Sequence, residues 1–353
     1  MEARHCWSVT MYRIGLIGCG WFAPFHLTAL QSLRDRADII WVADADEEKA
    51  HRIAVRAKVP ALADYRDGLD AVDAVVAIVP HHLHHPITMA CLAAGKHVLL
   101  EKPMALTVAE CDAMIATAEQ AGRTLMIAYP HRYRHCMQVF KEHVTGGAYG
   151  PMVTLDGCMD ESLQGYMSGW VCERAKVGGG VFFSSSPHML DAMLWIAGPV
   201  RYAAMVGGRA GLPIEGEDTA ASVIKFASGV IGTTRHTWGS PRSCDWYTLR
   251  AMCREAWVTL SSTPTGDFFS EAERCRWDTR IVVANESSET TVLHSDEGLD
   301  LVPEWVHFLD CVKTGAEPQT GGNTARAIIE LVQNAYREAD KAGANVDGDD
   351  HVL

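Results

Sequence analysis

Short apolar runs alternate with segments of helical spacing along the first third of the chain. The runs are continuous and partly β-branched, as strands buried on both faces of a sheet are, and they span residues 13–17, 38–43, 73–79, 97–100 and 124–129. A typical intervening helix begins at the capping pair Thr107 and Glu110 and ends at Gly122. This alternation predicts a doubly wound parallel sheet, whose ligand crevice lies beyond the carboxyl ends of its strands.

The pattern changes after residue 150. Residues 222–226 and 230–237 have the alternating faces of strands and flank a turn at Gly229, which predicts an antiparallel hairpin. Further strand-like runs continue to residue 291, and residues 325–339 return to helical spacing. The second part of the chain is therefore expected to combine a sheet with helices.

These elements predict an α/β protein of two domains. The first is an N-terminal doubly wound parallel Rossmann sheet in residues 11–130. The second, in residues 131–322, is a C-terminal α+β domain with a large, mainly antiparallel open sheet. A last helix is predicted in residues 323–341, and residues 1–10 precede the first strand as an extension.

The composition and charge of the chain limit the kinds of partner that it is expected to bind. The 353 residues carry 31 basic and 44 acidic side chains, a net charge of −13, so nucleic acid is not expected to bind. The apolar runs are too short to span a bilayer, so no membrane contact is expected. Eleven cysteines without a Cys-x-x-Cys pair favour reduced thiols in the cytoplasm. The expected ligand is a small molecule.

The first predicted strand is followed by Gly18-Cys19-Gly20-Trp21-Phe22-Ala23. Glycines at this turn let a pyrophosphate approach the backbone N–H groups at a helix start, and Ala23 permits close packing of that helix on the strand. The motif alone is weak, because glycine turns join strands to helices in many folds. Its position directly after the first predicted strand makes the motif more specific. We therefore expect these residues to bind a dinucleotide.

Asp44 ends the second predicted strand, where a carboxylate accepts hydrogen bonds from the adenosine ribose. Asp46 follows and no Arg lies in residues 43–48, so a 2′-phosphate would be repelled and NAD is favoured over NADP. As alternatives, Asp44 is a turn residue and Asp46 a helix cap. We favour the cap for Asp46 and the ribose contact for Asp44.

Three further stretches match a known family. They are Glu101-Lys102-Pro103, Pro80 to His84, and the glycines 178–180 followed by Pro187-His188-Met189-Leu190-Asp191. With Tyr336 in the final helix, nearly the whole chain resembles the glucose-fructose oxidoreductase, inositol dehydrogenase and MocA family of NAD(P)-dependent oxidoreductases. The resemblance implies that the last helix packs back on the Rossmann domain, and that one face of the second sheet forms homodimers or homotetramers.

The resemblance also implies two catalytic residues. Lys102 corresponds to the lysine that contacts the cofactor ribose and the reacting hydroxyl, and His188 to the residue that shuttles the proton. Removing a hydride from a carbinol carbon leaves a hydroxyl proton that needs an acceptor, and histidine titrates nearest neutral pH. Residue type alone favours a structural interpretation of both, with Lys102 a solvated lysine in an exposed loop and His188 a helix-start residue bonded to backbone.

Other contacts follow from the same match. The cofactor side includes Pro80, His81, His84, Glu101 and Lys102, with His81 where the family usually has Asn. The substrate side includes Lys102, His131, Arg132, Trp170, Ser184 and His188. Arg132 has an interdomain contact as its alternative, and the loop carrying Trp170 either closes over the ligand or is an exposed connection.

The chain departs from the family at Ser184. Many family dehydrogenases have an Asp here, beside the substrate and the lysine, whereas Ser184-Ser185-Ser186 supplies hydroxyls and no carboxylate. Without that charge, Lys102 and His188 lack electrostatic support. Ser186 and Pro187 are expected to be the cap and first-turn residue of a helix that runs to Gly198.

We therefore expect an NAD-dependent oxidoreductase acting on a secondary hydroxyl of a sugar, cyclitol or related polyol. Two alternatives stay open: a redox-neutral lyase or glycosidase that oxidises transiently, and a non-catalytic NAD-binding protein. The four histidines His81, His82, His84 and His85 suggest a metal, but neighbours on one loop seldom converge on an ion. No metal is expected.

Overall fold

The computed structural model describes residues 11–209, 211–243, 246–266 and 275–344, so the predicted extension at residues 1–10 lies outside the described residues. The first sheet has six parallel strands in the order β3-β2-β1-β4-β5-β6. They are β1 Tyr12–Ile17, β2 Ala37–Ala43, β3 Ala61–Leu62, β4 Ala74–Ala77, β5 His97–Glu101 and β6 Leu125–Ala128. The order reverses between β1 and β4, so the switch point of the doubly wound sheet lies there.

Four helices connect these strands. They are α1 Ala23–Ser32, α2 Glu47–Ala57, α3 His81–Ala93 and α4 Val108–Ala121. The Asp46 side chain accepts hydrogen bonds from the N–H groups of Glu48 and Lys49 and caps α2, and Thr107 and Glu110 form the capping box of α4. Both predicted caps are confirmed.

The second sheet has eight strands in the order β14-β13-β12-β11-β7-β10-β9-β8. They are β7 Met152–Asp160, β8 Val200–Gly208, β9 Thr219–Phe226, β10 Ile231–Thr237, β11 Tyr247–Cys253, β12 Trp257–Pro264, β13 Trp277–Ala284 and β14 Glu289–Glu297. All neighbouring pairs are antiparallel except β7 with β10. The predicted α/β class, with a mainly antiparallel second sheet, is confirmed.

Six further helices complete the described chain. They are α5 His135–Thr145, α6 Arg174–Val177, α7 Val181–Ser184, α8 Ser186–Ala197, α9 Val302–Thr314 and α10 Gly322–Ala342. Helix α8 packs closely on β7 at Gly157, since the absence of a side chain there leaves room for Met189. A Cβ at Gly157 would lie 2.6 Å from the Met189 sulfur. No helix in the described ranges has both the length and the apolar character needed to cross a bilayer.

The sequence-based boundaries differ from the structure in a few places. Strand β3 was not predicted, because two residues carry no detectable alternation. Ser185 is the N-cap of α8, so the prediction of Ser186 as the cap is wrong. The Ser186 hydroxyl instead donates to the Phe182 carbonyl of α7. Gly198 ends α8 as predicted.

The last helix contacts both sheets rather than the first alone. The Gln333 amide donates to the Leu106 carbonyl near α4 at 3.1 Å, while the Tyr336 hydroxyl donates to Glu217 beside β9 at 2.6 Å. Helix α10 thus packs back on the Rossmann sheet and also on the second one. The division into domains at residues 130 and 322 stays a prediction.

A buried ion pair also joins the two halves of the chain. Arg132, just after β6, donates from Nε and Nη2 to the two carboxylate oxygens of Asp191 in α8 at 2.6 and 2.7 Å. The side chains are 5% and 1% exposed. Burial raises the pKa of Asp191 to about 6, while the Arg132 charge opposes that change. Such a pair fixes geometry because neither charge can be solvated alone.

We expect Asp191→Asn to lower the free energy of unfolding by about 3–5 kcal/mol, because it leaves the Arg132 guanidinium buried without its counter-charge. Urea denaturation at pH 8, where Asp191 is ionised, measures this. Asp278→Asn is the control, since Asp278 is 38% exposed and pairs with the exposed Arg280; we expect it to cost less than about 1 kcal/mol. Equal small losses would contradict the structural role of the buried pair.

Candidate active site

A cavity of about 780 Å³ lies at the carboxyl ends of the parallel strands and extends to the second sheet. Most residues predicted to bind cofactor or substrate line it together. They are Gly18, Gly20, Trp21, Phe22, Asp44, Pro80, His81, Glu101, Lys102, His131, Trp170, Ser184 and His188. The fold thus gathers residues from across the first 190 positions at one edge of the sheet.

The two glycines of the first turn differ in their surroundings. Gly18 has a φ of +94°, and a Cβ there would lie 2.0 Å from the Ile78 carbonyl oxygen after β4. At Gly20 a Cβ would meet no atom within 4 Å. The protein's own packing requires glycine at position 18, whereas at position 20 it leaves space for a ligand to approach the backbone. Ala23 is fully buried at the start of α1 and does not line the cavity.

Asp44 follows β2 at the rim of the cavity. Its Oδ2 accepts a hydrogen bond from the Cys19 N–H at 2.7 Å, and its Oδ1 accepts from the Asp46 N–H at 2.8 Å. Each carboxylate oxygen has a second lone-pair site. The glycine loop therefore holds Asp44 in place and leaves it able to accept further hydrogen bonds, as the ribose contact requires.

Lys102 follows β5 and reaches the second half of the chain. Its Nζ donates to the Ser184 carbonyl at the end of α7, at 2.9 Å. Burial lowers the pKa of Lys102, while the charges of Glu101 and Glu161 raise it. The ammonium is a desolvated charge whose value as a hydrogen-bond donor is greater than in water.

Glu101 positions the backbone beside that lysine. Its Oε2 accepts from the Lys102 N–H at 3.2 Å, and its Oε1 lies 3.0 Å from His26 Nε2. Since Trp305 of α9 donates to His26 Nδ1 at 3.1 Å, the neutral His26 carries its proton on Nε2 and donates it to Glu101. Glu101 is thus held from two other elements.

His188 is the third residue of α8 and lies beside His131. Their rings meet edge to face with centroids 5.1 Å apart, and His131 in turn stacks on Tyr247 at 4.3 Å. Burial first, and then the Lys102 charge, lower the pKa of His188 well below 6.5. Its buried Nδ1 has no hydrogen-bond partner among the described residues. At neutral pH His188 is an uncharged base at the cavity wall.

Two predicted contact residues have other positions. His84 is buried, with Nδ1 2.6 Å from the Pro103 carbonyl and Nε2 2.8 Å from the Val79 carbonyl, so it ties the loop after β5 to α3. Arg132 is committed to Asp191. Neither lines the cavity. Direct contact of His84 with cofactor, and of Arg132 with substrate, does not fit these positions. Arg132 has a structural contact, and its partner Asp191 lies in the same predicted domain of residues 131–322.

His81 and Trp170 close another part of the wall. The His81 Nδ1 lies 2.9 Å from the Val177 carbonyl, and the Trp170 ring packs on the His81 ring with centroids 4.7 Å apart. Trp170 thus lies over the start of α3 and is partly buried, whereas residues 164–166, 168 and 169 of the same loop are exposed. Within the described ranges, no three His, Cys, Asp or Glu side chains are grouped as metal ligands would be.

Glu161 also lines the cavity, and the sequence analysis missed it. It directly follows β7 and is 7% exposed. Its Oε2 accepts from the Ser185 hydroxyl at 2.6 Å and from the Trp238 indole at 3.2 Å. No motif marks a lone glutamate at the end of a strand, so only its place in the fold identifies it.

Comparisons with known proteins identify the family of the chain. A family model described as "Oxidoreductase family, NAD-binding Rossmann fold" matches residues 12–129, and one described as "GFO/IDH/MocA C-terminal domain" matches residues 137–259. Together they cover more than half of the chain.

Individual proteins are similar over comparable lengths. D-apiose dehydrogenase of Paraburkholderia graminis is 26% identical over 94% of this chain and 88% of its own. The 1-carboxy-3-chloro-3,4-dihydroxycyclohexa-1,5-diene dehydrogenase of Comamonas testosteroni is 32% identical over 64% of this chain and 57% of its own.

A solved structure extends the likeness to the fold. The WlbA dehydrogenase from Bordetella pertussis, in complex with NADH and UDP-GlcNAcA, has a TM-score of 0.78 and 21% identity, and the match covers 94% of this chain and 98% of that one. At this identity the match establishes the fold alone. By the two family models, the chain belongs to the glucose-fructose oxidoreductase, inositol dehydrogenase and MocA family of NAD-dependent oxidoreductases.

Proposed function

We propose that this protein transfers a hydride between NAD and a secondary hydroxyl or ketone of a sugar, cyclitol or related polyol. One observation carries the proposal: Lys102 and His188 line the same cavity as the glycine loop and Asp44. The relatives support the substrate class, because one is named for the sugar apiose and one for a dihydroxylated ring. The family match favours net oxidation or reduction over the redox-neutral and non-catalytic alternatives.

The residues at the rim suit NAD. Without a side chain at Gly20, a ligand in the cavity can approach the backbone there. Asp44 has lone pairs left to accept hydrogen bonds from ribose hydroxyls. When bound, NAD accepts the hydride from the carbinol carbon, so two electrons leave with that hydrogen and the hydroxyl proton must go to a base.

Lys102 and His188 have different roles at the reacting hydroxyl. The Lys102 ammonium donates a hydrogen bond to the substrate oxygen and stabilises the negative charge that develops there. His188 is uncharged at neutral pH, so it can accept the hydroxyl proton in oxidation. In reduction, the protonated His188 returns it.

We expect Lys102→Met and His188→Asn each to lower kcat by about 10²–10⁴-fold, because each removes a group that acts on the reacting oxygen. NADH absorbance and chromatography of products, with D-apiose, other sugars and ring diols as substrates, measure the effect. Lys96→Met is the matched control, since Lys96 precedes β5 at its opposite end from Lys102. Unchanged turnover in both variants would exclude these roles, and product without net NADH would indicate a redox-neutral reaction.

We expect Gly18→Ala and Gly20→Ala to separate folding from cofactor binding. Gly18→Ala should lower the thermal midpoint, because its Cβ would overlap the Ile78 carbonyl. Gly20→Ala should leave the midpoint unchanged and weaken NAD binding by about tenfold, the equivalent of roughly one good hydrogen bond. Thermal melts and NAD titrations followed by tryptophan fluorescence measure both. Tight NAD binding by Gly20→Ala would argue against a pyrophosphate at this turn.

We also propose that the outer face of the second sheet forms a homodimer or homotetramer. Four large apolar side chains on β8, β9 and β10 are exposed there: Tyr202 at 51%, Val206 at 54%, Val223 at 52% and Ile231 at 42%. Adjacent strands bring them onto one surface. A contiguous apolar patch of this kind commonly marks an interface.

We expect Val206→Asp combined with Val223→Asp to shift the protein to a smaller species in light scattering coupled to size exclusion, because two charges cannot be buried unpaired at an interface. Val55→Asp on α2 is the control, since Val55 is 63% exposed away from that sheet. An unchanged mass for the double variant would place any interface elsewhere.

A cytoplasmic location is proposed on the state of the thiols. Cys19, Cys91 and Cys111 are buried free thiols. Burial raises the pKa of Cys19, Cys91 and Cys111 to about 12, which suppresses the reactive thiolate. Free, inert thiols are typical of proteins kept in a reducing compartment.

A further inference from the structure

The cavity has a carboxylate that the family motif does not predict. The family resemblance implies an Asp at position 184, where this chain has Ser. We propose that Glu161, at the end of β7, supplies the carboxylate of this site. It accepts a hydrogen bond from the substrate and keeps Lys102 positively charged. The proposal rests on the hydride-transfer function proposed above and names a further residue of that site.

The hydrogen bonds of Glu161 place it next to the lysine anchor. Ser185, whose hydroxyl donates to Glu161 Oε2, directly follows Ser184, whose carbonyl accepts from Lys102 Nζ. Trp238 donates to the same Oε2 and also to the Ser185 hydroxyl oxygen at 2.8 Å. Two consecutive residues of the turn between α7 and α8 therefore hold the cation and the carboxylate at one wall.

The second oxygen of Glu161 is available to a ligand. Oε1 accepts no hydrogen bond from any described residue, although the side chain is almost completely buried. The structural carboxylate of Asp191, by contrast, uses both oxygens, because it pairs with Arg132 through the two of them. A carboxylate oxygen without a protein donor, on a side chain that lines a ligand cavity, is suited to a substrate hydroxyl.

The charges around Lys102 make Glu161 effective. Two carboxylates face it, Glu101 at the end of β5 and Glu161 directly after β7, and both raise the pKa of Lys102 against the effect of burial. The remaining titratable neighbours are histidines whose pKa values burial lowers: His81, His84, His131 and His188. The pKa values of His81, His131 and His188 lie well below the usual value, so these three are uncharged at neutral pH. Glu101 is shared with His26, which leaves Glu161 to balance the lysine at the cavity wall.

The test is Glu161→Gln, which keeps the size and removes the charge. We expect kcat/KM for polyol oxidation to fall on the order of 10²-fold. Without the Glu161 charge the pKa of Lys102 falls, so the alkaline limb of the pH profile should move to lower pH. A structural glutamate would not shift that limb. NAD binding and the thermal midpoint are measured in parallel.

Two further variants sharpen the result. Adding Ser184→Asp to Glu161→Gln restores a carboxylate at the usual family position, and we expect it to recover part of the rate and return the alkaline limb toward its original pH. Asp160→Asn is the matched control, because the adjacent Asp160 pairs with Arg235 at 2.8 Å and does not line the cavity. It should leave the profile unchanged.

If Glu161→Gln does not fold, Ser185→Ala replaces it. Removing that donor raises the pKa of Glu161, so the acidic limb should move to higher pH. Unchanged limbs in the folded variants, or a rate loss that Ser184→Asp does not relieve, would overturn the proposal. Failure of this proposal is distinguishable from failure of the proposed function. If only the Glu161 proposal fails, the unaltered protein still forms NADH from a polyol and Lys102→Met is still inactive. If the proposed function fails, the unaltered protein forms no NADH with any polyol.

Discussion

The hydrogen bond from Lys102 to the Ser184 carbonyl is the contact on which the site depends. It joins the carboxyl edge of the parallel sheet to the turn between α7 and α8, and so brings the glycine loop and His188 to one cavity. The ion pair of Arg132 with Asp191 holds α8 against the segment after β6. With these two contacts, a lysine on one sheet and a histidine on an element of the other act as a unit.

Burial of that lysine sets the electrostatics of the cavity. Burial is the main cause that lowers the pKa of His81, His131 and His188, and the charge of the Lys102 ammonium lowers it further. The histidines are consequently neutral, which a proton acceptor must be before it acts. Carboxylates are needed to keep the lysine itself charged, and Glu101 and Glu161 supply them from two different strands.

The charge in the cavity does not have to come from the turn before α8. Ser184 supplies no carboxylate there, whereas Glu161 reaches the cavity wall from the end of β7. A cavity requires a charge at a point in space and does not specify which element carries it. Ser185 and Trp238 donate hydrogen bonds to Oε2 of Glu161 and so hold its carboxylate at this wall.

The sequence by itself determined the class of fold, the glycine turn, Asp44 and the family motifs with Lys102 and His188, since each depends on residues close together in the chain. Helix caps at Asp46 and Thr107 were predictable for the same reason. Only the tertiary structure decided that His84 and Arg132 face structural partners, and that Glu161 enters the cavity. Contacts between residues far apart in sequence depend on how elements pack, and a single glutamate, histidine or arginine carries no local pattern that reveals its partner.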